Sequence, residues 1–149
     1  MEALIEWLNH QRAVIHMLLH VMVPVVVWIF VWIGFRLING PRIKIPKESG
    51  WQSWLSHPLV IMLMTMSVDI DHLLATPIYE ANRCSILFHP LHTTWPMLAY
   101  GAMLIWPLLK SVSAYTLSSK DRVIGWVGAG LVIHMSLDSL DCLWMRSAL

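Results

Sequence analysis

Four groups of residues in this 149-residue chain have the types and spacing to do chemistry. His16 and His20 are spaced i,i+4. Asp69, Asp71 and His72 form an Asp-x-Asp-His run. His89 and His92 are i,i+3. His134, Asp138 and Asp141 are i, i+4 and i+7, a continuous stripe on a helix. Imidazole nitrogens and carboxylate oxygens gathered together are ligands suited to Zn, Mn or Fe. Asp71 is two residues from Asp69, so a straight α-helix turns it away; it reaches the same site only from a frayed last turn.

The elements that must position these groups are set by composition. The chain is 57% hydrophobic and 13% charged, with mean hydropathy +0.62. Soluble domains average ~45–50% and ~25%, so too little charge remains to coat a soluble sphere. Nine Trp and ten Met exclude disorder, because disorder needs a solvating composition. A net charge of +1 without a basic tract excludes a nucleic-acid surface. The reading is an all-α integral membrane protein, one transmembrane domain over 1–149. A span takes ~20 apolar residues, which predicts four, at about 13–38, 54–75, 94–115 and 120–144. Asn39-Gly40-Pro41 stops the first and Pro77 follows the second. Gly125, Gly128 and Gly130 leave a small surface on the fourth, which permits close helix approach.

In this four-helix bundle every span delivers His or Asp to one membrane face: His16 and His20, Asp69 to His72, His92, and His134 to Asp141. The basic residues near helix ends divide seven to three. Arg36, Arg42, Lys44, Lys47, Lys110, Lys120 and Arg122 collect on one side, and Arg12, Arg83 and Arg146 on the other. The positive-inside rule then puts both termini, the 77–92 connection and the polar cluster outside the cytoplasm. A membrane-embedded Asp costs roughly 2.5–3.5 kcal/mol, so several together need compensation. Two metals in a mixed His/Asp site supply it. A proton relay and a purely structural polar network are the readings without metal, while His10 and His57 read as packing or interfacial residues. Cys84 and Cys142 fall on the outer side, where an oxidising compartment permits a disulfide. Two free thiols are the alternative.

Residues 67 to 78 (Ser-Val-Asp-Ile-Asp-His-Leu-Leu-Ala-Thr-Pro-Ile), residues 82 to 92 (Asn-Arg-Cys-Ser-Ile-Leu-Phe-His-Pro-Leu-His), the His134-xxx-Asp138-xx-Asp141-Cys142 pattern and His16-xxx-His20 together carry a family signature. On these motifs the chain resembles the bacterial membrane family called domain of unknown function 6122, over about His16 to Cys142. That family is similar to a broader group of metal-dependent inner-membrane hydrolases with Asp-x-Asp-His and His-xxx-Asp motifs. The group in turn distantly resembles zinc-dependent phospholipase C and single-strand nucleases. Where the broader group has Arg-Gly and then Thr-His-Ser, this chain has Arg83-Cys84-Ser85 and His89-Pro90-Leu91-His92.

The resemblance implies a bacterial inner-membrane, multi-pass hydrolase of phosphoesters, with two Zn (or Mn or Fe). A site at headgroup depth implies a membrane lipid or lipid-linked phosphate as substrate. Asp69, His72, His134 and Asp138 are the leading ligands; His16, His20, Asp71, His89 and His92 form the next set. Asp138 is the favoured bridge. Asp141 is a ligand, an orienting group or a general base, and Arg83 is a phosphate clamp or an interfacial surface charge. The rival classes are a metal or proton transporter, which needs polar residues continuing to the other face, and a non-catalytic metal-stabilised scaffold.

Overall fold

In the computed structural model of the protein, residues 11–39, 51–76, 83–113 and 118–147 are described. Regular structure among them is helical throughout: α1 (Arg12–Asn39), α2 (Trp51–Met64), a 3-10 helix (Thr65–Leu74), a 3-10 turn (Pro90–His92), α3 (Thr94–Ser113) and α4 (Ser119–Ser147). Among the described residues, two helical segments are long and apolar enough to cross a membrane, Val14–Gly34 and Lys120–Arg146. Residues 40–50 of the expected 39–53 connection, 77–82 of the 77–92 connection, 117 of the 117–119 connection, the end of the third segment at 114–115, and His10 lie outside the described residues, as does the side chain of His57.

The second expected segment is not one continuous α-helix. After Met64 it tightens into the 3-10 form. Thr65, Val68 and Ile70 are β-branched, and Ser67, Asp69 and Asp71 offer the backbone competing partners, so the run has weak α propensity. The Thr65 and Ser67 hydroxyls donate three residues back, to the carbonyls of Met62 and Met64. At three residues per turn, Asp69 and His72 are stacked while Asp71 faces another way.

α4 is the central helix. It packs most extensively on α3 and also meets α1, α2 and the 3-10 helix. Its glycines make this possible. A Cβ on Gly128 would run into the backbone of Met103 and Leu104, one on Gly125 into the Pro107 ring, and one on Gly130 into Thr65 and Met62. Small residues at such crossings let helix backbones approach. Val68, Leu131 and Met135 form the buried apolar core, with Ile86, Met97, Tyr100 and Val127 against it. Val68 and Met135 directly adjoin Asp69 and His134 in sequence, so this core underlies the polar cluster.

The far end of α4 is fixed by a capping box. Ser118 Oγ accepts the Asp121 N–H (3.2 Å), and Asp121 Oδ2 accepts the Ser118 N–H (3.1 Å). The same carboxylate takes Lys110 Nζ (2.8 Å) and Trp106 Nε1 (3.0 Å), which ties the end of α3 to the start of α4. At the other end, a Cys84–Cys142 disulfide joins the loop before α3 to α4, with Cα atoms 5.1 Å apart. That resolves the two cysteines as bonded. Leu87, in this loop, has φ 66°, a left-handed conformation. Its N–H donates to the His92 carbonyl (3.0 Å), closing the loop on itself.

Candidate metal centre

Four elements converge beside the core. α1 brings His16 and His20, the 3-10 helix brings Asp69, Asp71 and His72, the loop and turn bring His89 and His92, and α4 brings His134 and Asp138. Three sets of side chains have donor atoms within 4.8 Å of one another: Asp69, His92, His134 and Asp138; His16, His20 and Asp138; and Asp71, His72 and His92.

Hydrogen bonds fix which ring nitrogen faces inward. His20 Nδ1 lies 2.9 Å from the His16 carbonyl. His134 Nδ1 lies 3.4 Å from Met66 Sδ, and His92 Nδ1 3.2 Å from Asp71 Oδ2. A carbonyl, a thioether and a carboxylate can only accept, so each Nδ1 is the donor. In the neutral ring Nε2 then carries a bare lone pair. All three Nε2 atoms turn towards carboxylate oxygens.

The distances in the four-residue set form a recognisable figure. His92 Nε2 is 3.0 Å from Asp138 Oδ2 and 3.5 Å from Asp69 Oδ1. His134 Nε2 is 3.0 Å from Asp69 Oδ1 and 3.5 Å from Asp138 Oδ2. Tetrahedral zinc with bonds of ~2.0–2.1 Å requires ligand atoms roughly 3.3 Å apart, and these four edges bracket that value. Among the described residues, four side-chain atoms are buried and make no hydrogen bond: Asp71 Oδ1, and His92 Nε2, His20 Nε2 and Asp138 Oδ2, the last three despite oxygen–nitrogen approaches of 3.0–3.2 Å. A cation beside the last three would satisfy them, so the residues fit a metal ion.

Asp138 belongs to two of the sets. Its Oδ2 faces His92 and His134, and its Oδ1 lies 3.1 Å from His16 Nε2 and 3.2 Å from His20 Nε2. The side chain is 2% exposed, and leaving a buried carboxylate without counter-charge is costly. Asp69 differs, with 46% of its side chain exposed, so it forms the open rim of the cluster. At the head of α3, burial disfavours charge on His92, yet the surrounding Asp138, Asp69 and Asp71 carboxylates prevail and push its imidazole up to about 10. His89 is shifted down, by burial and by its neighbour His72.

The remaining sequence candidates lie around this centre. His72, expected among the leading ligands, has Nδ1 3.1 Å from the Asp69 carbonyl and Nε2 3.1 Å from Ser85 Oγ. Both nitrogens therefore have partners, and His92 takes its place in the four-residue set. His89 is buried with its ring stacked on His72, centroids 3.7 Å apart, and belongs to none of the three sets. Asp141 continues the α4 stripe but turns to Arg12, whose Nε is 3.5 Å away. Arg83 lies over the Phe88 ring at 4.7 Å. Sequence reasoning passed over Ser85 and Met66, which orient His72 and His134; neither residue type signals such a role.

The fold and the cluster define an all-α protein with a buried His/Asp site able to hold a metal ion. The family model described as "Family of unknown function (DUF6122)" matches residues 50–145, and the chain belongs to that family. His16 and His20 lie before the matched range. No curated protein and no solved structure matches the chain.

Proposed function

We propose that this protein is a membrane-embedded, metal-dependent phosphoester hydrolase acting on a lipid or lipid-linked phosphate at the extracytoplasmic face. The observation that carries the reading is the shared Asp138 carboxylate, one oxygen facing His16 and His20, the other His92 and His134. A pair of sites joined by one carboxylate is the arrangement two-metal hydrolases use to clamp both oxygens of an in-line displacement. Asp69, His92, His134 and Asp138 would hold one divalent ion and His16, His20 and Asp138 a second, with Zn, Mn or Fe suited to these donors. Ions held there would lower the pKa of bound water towards ~7 and polarise a phosphoryl oxygen.

The protein's own groups complete the scheme. Asp69, the exposed member of the cluster, marks the side from which substrate arrives. Arg83 remains the candidate to bind a phosphate oxygen, and Asp141 remains at the rim, paired with Arg12. The four-span, multi-pass arrangement in an inner membrane, both termini outside, rests on the apolar runs and on the distribution of Lys and Arg. The Cys84–Cys142 bond supports it, since disulfides persist in oxidising compartments.

A transporter is the weaker reading. From Val123 to Ile133, α4 carries no ionisable residue, so α4 itself offers no polar path from His134 towards Asp121. The test is elemental analysis of protein purified in mild detergent, with hydrolysis assays on a generic phosphate monoester and on lipid phosphates. About two transition-metal ions per chain and chelator-sensitive hydrolysis are expected. Folded protein that hydrolyses these esters without metal overturns the reading, as does metal-loaded protein inert to all of them.

A further inference from the structure

We infer that Asp71 is a positioning residue that orients His92 from behind, and not itself a ligand of an ion held by Asp69, His92, His134 and Asp138. The inference rests on the metal-site reading above and deepens it. The two acidic residues of the Asp-x-Asp-His run have the same chemistry and lie two positions apart. The 3-10 helix separates them: three residues per turn place them on different sides. Asp69 faces His134 on α4. Asp71, 3% exposed, faces the loop that carries His92.

There Oδ2 makes two contacts, while Oδ1 is buried without a hydrogen bond, 3.4 Å from His72 Nδ1. Asp71 Oδ2 accepts the Leu91 N–H at 2.7 Å and lies 3.2 Å from His92 Nδ1. The first contact holds the main chain immediately before His92 and the second holds its ring. Three further bonds fix the same stretch. The His92 N–H donates to the His89 carbonyl and the His92 carbonyl accepts from Leu87, both at 3.0 Å. Tyr100 Oη donates to the Leu91 carbonyl at 3.1 Å. The ring is therefore held with Nδ1–H towards Asp71 and Nε2 towards Asp69 and Asp138. A neutral imidazole whose Nδ1 donates to a carboxylate has only Nε2 to offer a metal. This is the carboxylate–histidine–metal relay, in which the rear carboxylate fixes the tautomer and raises ligand basicity.

The other rings set the scale. His134 is backed by a thioether and His20 by a backbone carbonyl. Of these three, His92 alone has an anion behind it. The role also accounts for the third set of donors. Asp71, His72 and His92 are close because Asp71 holds His92, while His72 is occupied by Ser85 and the Asp69 carbonyl.

The test compares Asp71→Asn with Asp69→Asn in the full-length protein in detergent, using Co2+ as the probe and equilibrium titration as the readout. Asparagine can still accept from Leu91 and from His92 Nδ1 through one oxygen, but it removes the negative charge behind the ring. Asp71→Asn should bind the same number of Co2+ ions at saturation as wild type, with one site weakened ~10–100-fold. Asp69→Asn should lower the saturating number or abolish the tetrahedral cobalt absorption. A lost equivalent at saturation in Asp71→Asn would make Asp71 a ligand and overturn the inference; so would wild-type affinity. Should the variant not fold, nitrogen-15 NMR of the zinc-loaded wild type decides, with His92 assigned through His92→Gln. A proton on His92 Nδ1 and metal on Nε2 is expected, and the reverse overturns it. Wild type that takes up no cobalt or zinc removes the metal reading and this inference together; binding by wild type with a changed stoichiometry in Asp71→Asn removes only the inference.

Discussion

At Asp138 one carboxylate serves two groups of imidazoles, and the consequences of removing it are therefore unequal to those of removing any single histidine. Asp138→Ala is expected to reduce bound metal from about two ions per chain to less than one, because both sets lose a member. His16→Ala is expected to keep about one, because the set around Asp69 stays whole. His72→Ala should retain more metal than His92→Ala. Elemental analysis of the four purified variants, with folding checked by circular dichroism, measures all of this. The sequence made the composition of the cluster readable, since the His and Asp residues of every apolar segment gather at one depth. It did not reveal which histidines face inward. That choice depends on acceptors such as the Asp69 carbonyl and Ser85 Oγ, whose positions only the folded backbone defines.

The helices as elements were readable because long apolar runs and flanking prolines mark them without reference to partners. The 3-10 stretch was not, because an i,i+3 pair such as Asp69 and His72 suits either helix type. The small face of α4 was also readable, and it yields a sharp expectation. Gly128→Leu drives a side chain into the α3 backbone at Met103 and Leu104 and should destabilise by about 1–3 kcal/mol. At Gly34 and Gly101 a Cβ would meet nothing within 4 Å. Gly34→Ala and Gly101→Ala should therefore be neutral or stabilising by up to about 1 kcal/mol through helix propensity. Thermal unfolding in one detergent, followed by helical circular dichroism, compares the three.

For the molecule as a whole, the expected topology can be read from its two ends. Leu87 is exposed beside the cluster and Lys120 is exposed at the opposite end of α4. Leu87→Cys should react with a membrane-impermeant thiol reagent in intact spheroplasts, and Lys120→Cys only after lysis. The reverse pattern would place the cluster on the cytoplasmic side. The native cysteines do not interfere if Cys84 and Cys142 are bonded. Freshly isolated, denatured, unreduced protein should then show no free thiol, and two after reduction. Sequence could place both cysteines on one side but not within bonding distance, since that depends on how the loop before α3 closes on α4.

The disulfide has a consequence for exchange. It closes a covalent ring from Cys84 to Cys142 that includes α3 and most of α4, with His92, His134 and Asp138 inside it. α1 stands outside that ring. Met17, Phe30 and Leu37 on it face outward, and it meets the cluster through His16 and His20. The two oxygens of Asp138 are thus served by groups with different freedom to leave. An ion at Oδ2 would be enclosed by a cross-linked frame joined by Asp69, whereas one at Oδ1 would depend on α1, which non-covalent contacts such as Arg12 to Asp141 hold against α4. An ion at Oδ1 should therefore exchange faster than one at Oδ2, which metal-exchange kinetics would measure.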